Sequence, residues 1–325
     1  MHSMDVRRRR SAAGFAVFLW LALVFIPSSA SAWCWWNCNY AKTKYPIVLS
    51  HGFLGAEEYL GILDYWYGIP EYLEAKNATV YVTEVSPANS SAFRGEQIIE
   101  QLDAIRAIRG ESSLKFNLIG HSQGGIDIRY VAGVRPDLVA SLTTVGSPHT
   151  GVDFVSQFGS GMAGLEGLLD FVGEGVELIW ALLGNDNPTD LLAALETFSP
   201  EAIAGFNQDP VFGQGMPSSA CGEGEAVSQT PAGPRRNYSW TGNDPTTNAF
   251  DPLDVAFFLT SLLFDEPNDG LVEVCSAHFG DVIRDNYRMN HLDEVNQLLG
   301  LTAWFETDPR SVFRAHANRL KKAGL

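Results

Sequence analysis

Between Lys115 and Val134 the chain reads KFNLIGHSQGGIDIRYVAGV. An apolar run breaks sharply at Gly120-His121-Ser122-Gln123-Gly124 and gives way to a helical pattern. The frame of strand, sharp turn and helix turns a weak pentapeptide, G-x-S-x-G, into a nucleophile elbow. A serine at the top of a strand must adopt a strained backbone so that its Oγ points outward. Gly120 and Gly124 let the neighbouring chain pass close by, and the helix N-terminus offers free N–H groups to a developing negative charge. A tight βα turn with an ordinary serine would share the pentapeptide but would need nothing else from the chain. The elbow therefore commits the fold to α/β and points to Ser122 as a nucleophile.

The remaining pattern agrees. Apolar runs bounded by turn residues predict strands at Tyr45–Ser50, Thr79–Val85, Lys115–Gly120 and Ala140–Gly146. Gly95–Arg109 predicts a helix with Ile98, Leu102, Ile105 and Ile108 on one face. Strands alternating with helices imply a mostly parallel central sheet covered on both faces. No repeat or long linker appears, so residues 33–325 are expected to form one catalytic domain. Within the region 150–200, Leu165, Leu168, Leu169, Val172, Val176, Ile179, Trp180 and Leu183 share a helical face. That amphipathic helix reads either as a permanent part of the core or as a mobile cover over an apolar site. Glu223–Asn237, rich in Gly, Pro and polar residues, reads as a surface loop. Asn77 and Asn237 each head a glycosylation sequon, a triplet that chance often produces.

The first 32 residues read as an address. Four arginines (7–10) precede an apolar stretch, Gly14–Ile26, and the small residues Ala30-Ser31-Ala32. This is the layout of a secretory signal peptide, and the stretch falls short of the roughly 20 residues that span a bilayer. The chain carries a net charge of −16, which excludes a nucleic-acid or anionic-membrane partner held by charge. Charged residues are only 18%, too few for a disordered acidic chain or a coiled coil. All four cysteines (Cys34, Cys38, Cys221 and Cys275) lie in the exported part. Three pairings are possible. Cys221–Cys275 would close a loop of about 55 residues and constrain the unfolded chain most usefully, with Cys34–Cys38 as the second bridge of that pairing.

A serine needs a base, and the base an orienting acid. In this fold they follow the serine in the order acid, then His. His278, His291 and His316 are the histidines downstream; His316 sits in a terminal helical pattern, leaving His291 as first choice and His278 as the alternative. Asp269, in Asn268-Asp269-Gly270, lies on a turn suited to the acid, with Asp251, Asp254 and Asp265 as competitors. The oxyanion donors are expected at the backbone N–H of Gln123, after the nucleophile, and of Phe53, in the glycine-bearing loop His51–Gly55 after the first strand.

The runs KYPIVLSHGFLG, NLIGHSQGG, RYVAGVRPDL, SACGEG, NDGLV and IRDNYRMNHLDEVNQLLGL closely resemble the secreted bacterial triacylglycerol lipases of the Pseudomonas and Burkholderia type. The resemblance spans about Lys42 to Leu325 and implies an α/β-hydrolase fold with a helical lid insertion. It implies Ser122, Asp269 and His291 as the triad, Phe53 and Gln123 as oxyanion donors, and a Cys221–Cys275 disulfide. Family members commonly carry Met or Leu where Phe53 stands. It also implies one structural calcium ion, held by the Asp251 and Asp293 side chains and the backbone carbonyls of Gln297 and Leu301. Calcium favours such mixed oxygen sets, and Asp293 is two residues from His291. Family members fold with a dedicated membrane-anchored foldase and leave through a type II secretion machine. The expected protein is thus a secreted, monomeric lipase cleaving long-chain acylglycerols at lipid–water interfaces. The alternative is a carboxylesterase for soluble short esters, which shares the triad.

Overall fold

The computed structural model describes residues 38–55, 58–59, 63–152 and 188–325. The expected signal segment, the amphipathic stretch 165–183 and Cys34 lie outside the described residues. The elements are β1 (Ile47–Ser50), β2 (Glu58–Tyr59), β3 (Leu63–Asp64), α1 (Ile69–Glu74), β4 (Val80–Thr83) and α2 (Ser91–Arg109). The elbow unit follows as β5 (Phe116–His121), α3 (Gln123–Val134) and β6 (Val139–Val145). Then come α4 (Leu191–Thr197), α5 (Pro200–Gln208), β7 (Val227–Thr230), β8 (Gly233–Gly242), α6 (Asp254–Ser261), β9 (Asp281–Tyr287), α7 (Gln297–Gly300) and α8 (Pro309–Lys322).

The main sheet runs β4-β1-β5-β6-β8-β7, with β9 also paired to β8. Every pairing is parallel except β7 with β8. Alternation along the strands sends residues to opposite faces. Ile47 and Leu49 join Ile119, Val145, Trp66, Trp240 and Phe313 in one core, under α1 and α8. Val48 joins Phe116, Leu118, Leu142, Ile98 and Leu102 in the other, under α2 and α3. The two cores explain why the central strands are apolar throughout.

Two expectations need correction. The stretch Glu223–Asn237 is not a loop: from Val227 onward it builds the β7–β8 hairpin. Asn237 is fully buried; its Nδ2 donates to Glu225 O and Ser228 Oγ, and its Oδ1 accepts from Arg235 Nε. Polar side chains can sit inside a strand when they satisfy one another, and a sequon buried this way is closed to glycosylation. The apolar stripe of α2 also ends early, because Ile108 is 86% exposed. Arg94 and Arg106, on that same helix, are buried instead.

Candidate active site

β5 ends at His121, and the chain turns at Ser122 with φ 55° and ψ −127° before α3 begins at Gln123. The glycines make this turn possible. A Cβ on Gly120 would stand 2.2 Å from Gly124 O, and one on Gly124 would stand 2.3 Å from Ser50 O. Ser122 is the one residue of the elbow left partly exposed, while His121, Gln123 and Gly124 are buried. The loop after β1 lies directly against it: a Cβ on Gly52 would meet the Ser122 Cβ at 2.6 Å. Gln123 is the first residue of α3, so its N–H has no partner within the helix. Among the described residues the Phe53 N–H has no acceptor either. One unspent donor thus follows Ser122 directly and the other sits in the loop packed against it.

Asp269 is fully buried on the turn before Gly270, whose φ of +101° demands glycine. Its Oδ1 accepts from the N–H groups of Leu271 (2.9 Å) and Val272 (2.7 Å). Its Oδ2 lies 2.7 Å from His291 Nδ1. Since Asp269 accepts, Nδ1 is the protonated nitrogen and Nε2 is left free to take a proton. The His291 ring packs against the His121 ring at a centroid distance of 4.5 Å, beside Ser122. No hydrogen bond joins Ser122 to His291 among the described residues; such contacts commonly tighten when substrate enters. The alternative base, His278, bonds Gly222 O and Asp285 instead. Of the competing acids, Asp265 is exposed, and Asp254 is occupied by the N–H groups of Thr247 and Asn248.

Several participants were invisible in the sequence. Tyr65 Oη accepts from Gly52 N–H (3.0 Å) and donates to His121 Nδ1 (2.6 Å). His121 Nε2 then donates to His291 O (2.9 Å). Burial, aided by the nearby His291, pushes the His121 imidazole well below its ordinary pKa, so it stays neutral. Arg94, fully buried on α2, pairs with Asp127 of α3 at 2.7 Å. Asp127 is held up at about 6 by burial, against the pull of Arg94. Glu294 is buried with Oε1 accepting from Gly242 N–H (2.5 Å) and Thr241 Oγ1, and Oε2 3.5 Å from His121 Nε2. For Arg94 and Asp127 only an alternation of polar and apolar residues on α2 and α3 could have hinted at their roles; Tyr65 and Glu294 carry no local pattern.

Ligand-capable atoms of His121, His291 and Glu294 gather within 4.8 Å, a possible cation-binding group. Both His121 nitrogens and His291 Nδ1 are already engaged, so this group is chiefly a hydrogen-bond relay. The expected calcium ligands lie elsewhere. Asp251 and Asp293 are both buried, and Asn290 Nδ2 bridges Asp251 Oδ2 (3.4 Å) and Asp254 Oδ1 (3.0 Å). Burial pushes Asp293 up to about 7, and the charges of Asp251 and Asp254 push the same way. Among the described residues no Lys or Arg side chain pairs with these carboxylates. Cys221 and Cys275 form the disulfide, with Cα atoms 4.4 Å apart.

The family model described as the alpha/beta hydrolase fold matches residues 45–177. A triacylglycerol lipase of Vibrio cholerae is 48% identical over 88% of this chain and 91% of its own. A triacylglycerol lipase of Burkholderia plantarii is 38% identical over 88% of each chain. Among solved structures, the Staphylococcus hyicus lipase superposes with a TM-score of 0.58 at 17% identity, covering 87% of this chain and 97% of that one. That last likeness carries the fold alone.

Proposed function

The chain belongs to the triacylglycerol lipases of the α/β-hydrolase fold, and on that premise we propose that Ser122, His291 and Asp269 hydrolyse long-chain acylglycerols through an acyl-enzyme. The observation that carries the reading is the buried Asp269–His291 bond beside a serine held at φ 55° against the Gly52 loop. Ser122 Oγ attacks the ester carbonyl as His291 Nε2 takes its proton. Asp269 keeps Nδ1 protonated and stabilises the imidazolium. The N–H groups of Phe53 and Gln123 receive the oxyanion; one such donor is typically worth roughly 100-fold in rate. His291 returns the proton to the leaving glycerol oxygen, and water repeats the sequence on the acyl group.

Lipid as substrate is supported by an apolar cluster beside the oxyanion loop, in which Val152 and Phe198 pack with Phe53, Leu263 and Phe264. Phe53 meets Phe198 edge-on at 5.6 Å. Next to it α6 exposes Val255, Phe258 and Leu259. The test is hydrolysis of esters of graded acyl length, above and below their solubility. A lipase turns over emulsified triolein and accelerates when substrate passes from monomer to emulsion. Smooth saturation with soluble esters and no action on triolein would make it a carboxylesterase.

A calcium ion suits the oxygen-rich, uncompensated group around Asp251 and Asp293, with the carbonyls of Gln297 and Leu301 completing the set. When bound it supplies positive charge that offsets the buried carboxylates. Asp293 and His291 share a turn in which Asn290 Oδ1 accepts from Leu292 and Asp293 N–H, so order at one is order at the other. Export through the periplasm is supported by the N-terminal segment, with a foldase and a type II secretion machine as partners. Among the described residues no helix is long and apolar enough to cross a membrane.

A further inference from the structure

We propose that His51 and Arg94 are positioning residues for the oxyanion-binding N–H of Phe53, because both donate to the carbonyl of Gly52 at the other end of the same peptide unit. The inference rests on the reading of Phe53 as an oxyanion donor and deepens it. Three donors converge on that single carbonyl: His51 Nδ1 at 2.9 Å, Gly55 N–H at 3.2 Å and Arg94 Nη2 at 3.3 Å. A peptide is a rigid plane, so fixing its oxygen fixes the direction of its N–H. Donation to the oxygen also draws charge through the amide and makes the N–H a stronger donor.

The arrangement around each donor supports this. His51 Nε2 accepts from Val85 N–H at 3.3 Å, which leaves Nδ1 as the protonated nitrogen aimed at Gly52 O. The ring is fully buried, and burial with the nearby Arg94 charge holds it down at about 3, so the tautomer is constant across the working pH range. Gly55 leaves the room the ring needs, since a Cβ there would stand 2.4 Å from Nδ1. Arg94 spans the whole loop: Nη2 donates to His51 O (2.6 Å), Nη1 to Ser86 O (2.5 Å) and Nε to Asp127 (2.7 Å). Asp127 stands on α3, the helix that opens with Gln123. One guanidinium thereby ties the loop of the first oxyanion donor to the helix of the second. The Ser122–Gln123 peptide carries its own rear donor, Gly125 N–H on Ser122 O at 3.0 Å. The Phe53 peptide has the matching backbone donor in Gly55 N–H, but no helix behind it, and the His51 and Arg94 side chains add the further support.

The test compares H51N with H51L in the full chain. Both lose the Nε2 acceptor, but only the asparagine amide can donate to Gly52 O from the place of Nδ1. For H51L we expect kcat on a soluble p-nitrophenyl ester to fall about tenfold with KM within about twofold, a fraction of the loss when a whole oxyanion donor is removed. An alkyl boronic acid, which becomes tetrahedral on Ser122, should bind weaker by the same factor. The carbonyl stretch of a slowly hydrolysed acyl-enzyme should move to higher frequency. H51N should restore all three. If H51L fails to fold, the charge-neutral pair R94Q/D127N should reproduce the kcat loss and the frequency shift. A wild-type kcat and unshifted carbonyl in whichever folded variant is read, or equal impairment of H51N and H51L, would overturn the proposal. Labelling by an alkyl phosphonate separates the two levels. Failure to label Ser122 in the parent protein overturns the underlying reading. Full labelling with unaltered kcat in the variants overturns the rear clamp alone.

Discussion

Asp269 and His291 are joined twice: Asp269 Oδ2 to His291 Nδ1 at 2.7 Å, and Asp269 O to His291 N–H at 2.9 Å. The second bond fixes the backbone of the base to that of the acid, so the imidazole does not depend on its side-chain bond alone for alignment. Asp269 itself is anchored through Oδ1 by two N–H groups of its own turn.

The contact between Gly52 and Ser122 predicts a severe effect from the smallest substitution. In G52A the new methyl group would stand 2.6 Å from Ser122 Cβ and 2.9 Å from Tyr65 Oη. The loop must retreat and carry the Phe53 N–H with it. We expect kcat to fall about 100-fold or more, the scale of a lost oxyanion donor, with a native circular-dichroism spectrum.

The disulfide joins positions 54 residues apart. Closing a loop of that length in the unfolded chain contributes about 4 kcal/mol in the chain-entropy description. C275S should therefore lower the melting temperature by about 10 °C, read by calorimetry without reductant. The parent protein should show the same drop after reduction.

Acid should destabilise the fold through its buried neutral histidines. His51 is lowered from 6.5 to about 3, and His121, His149 and His316 are lowered well below 6.5, in each case chiefly by burial. Below pH 6.5 the unfolded chain binds protons at these sites and the folded chain does not. Stability is fully present above pH 6.5 and is lost as pH falls toward the folded values, by up to about 1.4 kcal/mol per pH unit for each ring. Urea unfolding from pH 7.5 to 4.5 measures the slope. H316Q, which removes one ring that bonds Thr143 of β6, should make that slope shallower.

Chelation should act on the base through Asp293. Without a cation, burial first and then the charges of Asp251 and Asp254 push Asp293 up to about 7. A tight chelator should lower both melting temperature and turnover, and added calcium should restore them. An unchanged melting curve, with no metal by elemental analysis, would remove the ion from the account.

The elbow and its flanking strands were legible because they depend on local pattern. An apolar run, a glycine pair and a helical run state the geometry within twenty residues. Asp269 stood out less, since any aspartate on a turn looks alike until His291 is placed against it. The β7–β8 hairpin was misread because its interior is polar. Asn237 and Ser239 are buried only because Ser228, Arg235 and the Phe279 N–H satisfy them, and such matching has no periodicity. Arg94 was hidden for a related reason. Its partner Asp127 lies on the next helix, and its other acceptors are carbonyls, which leave no trace in side-chain identity.

The bond from His121 Nε2 to His291 O spans 170 positions of sequence. It fastens the residue preceding the nucleophile to one near the end of the chain. In the sequence the serine precedes the imidazole, and this bond joins their neighbourhoods only when the two distant stretches meet. A chain that stops short of His291 therefore lacks both the base and the bond that fastens the elbow to it.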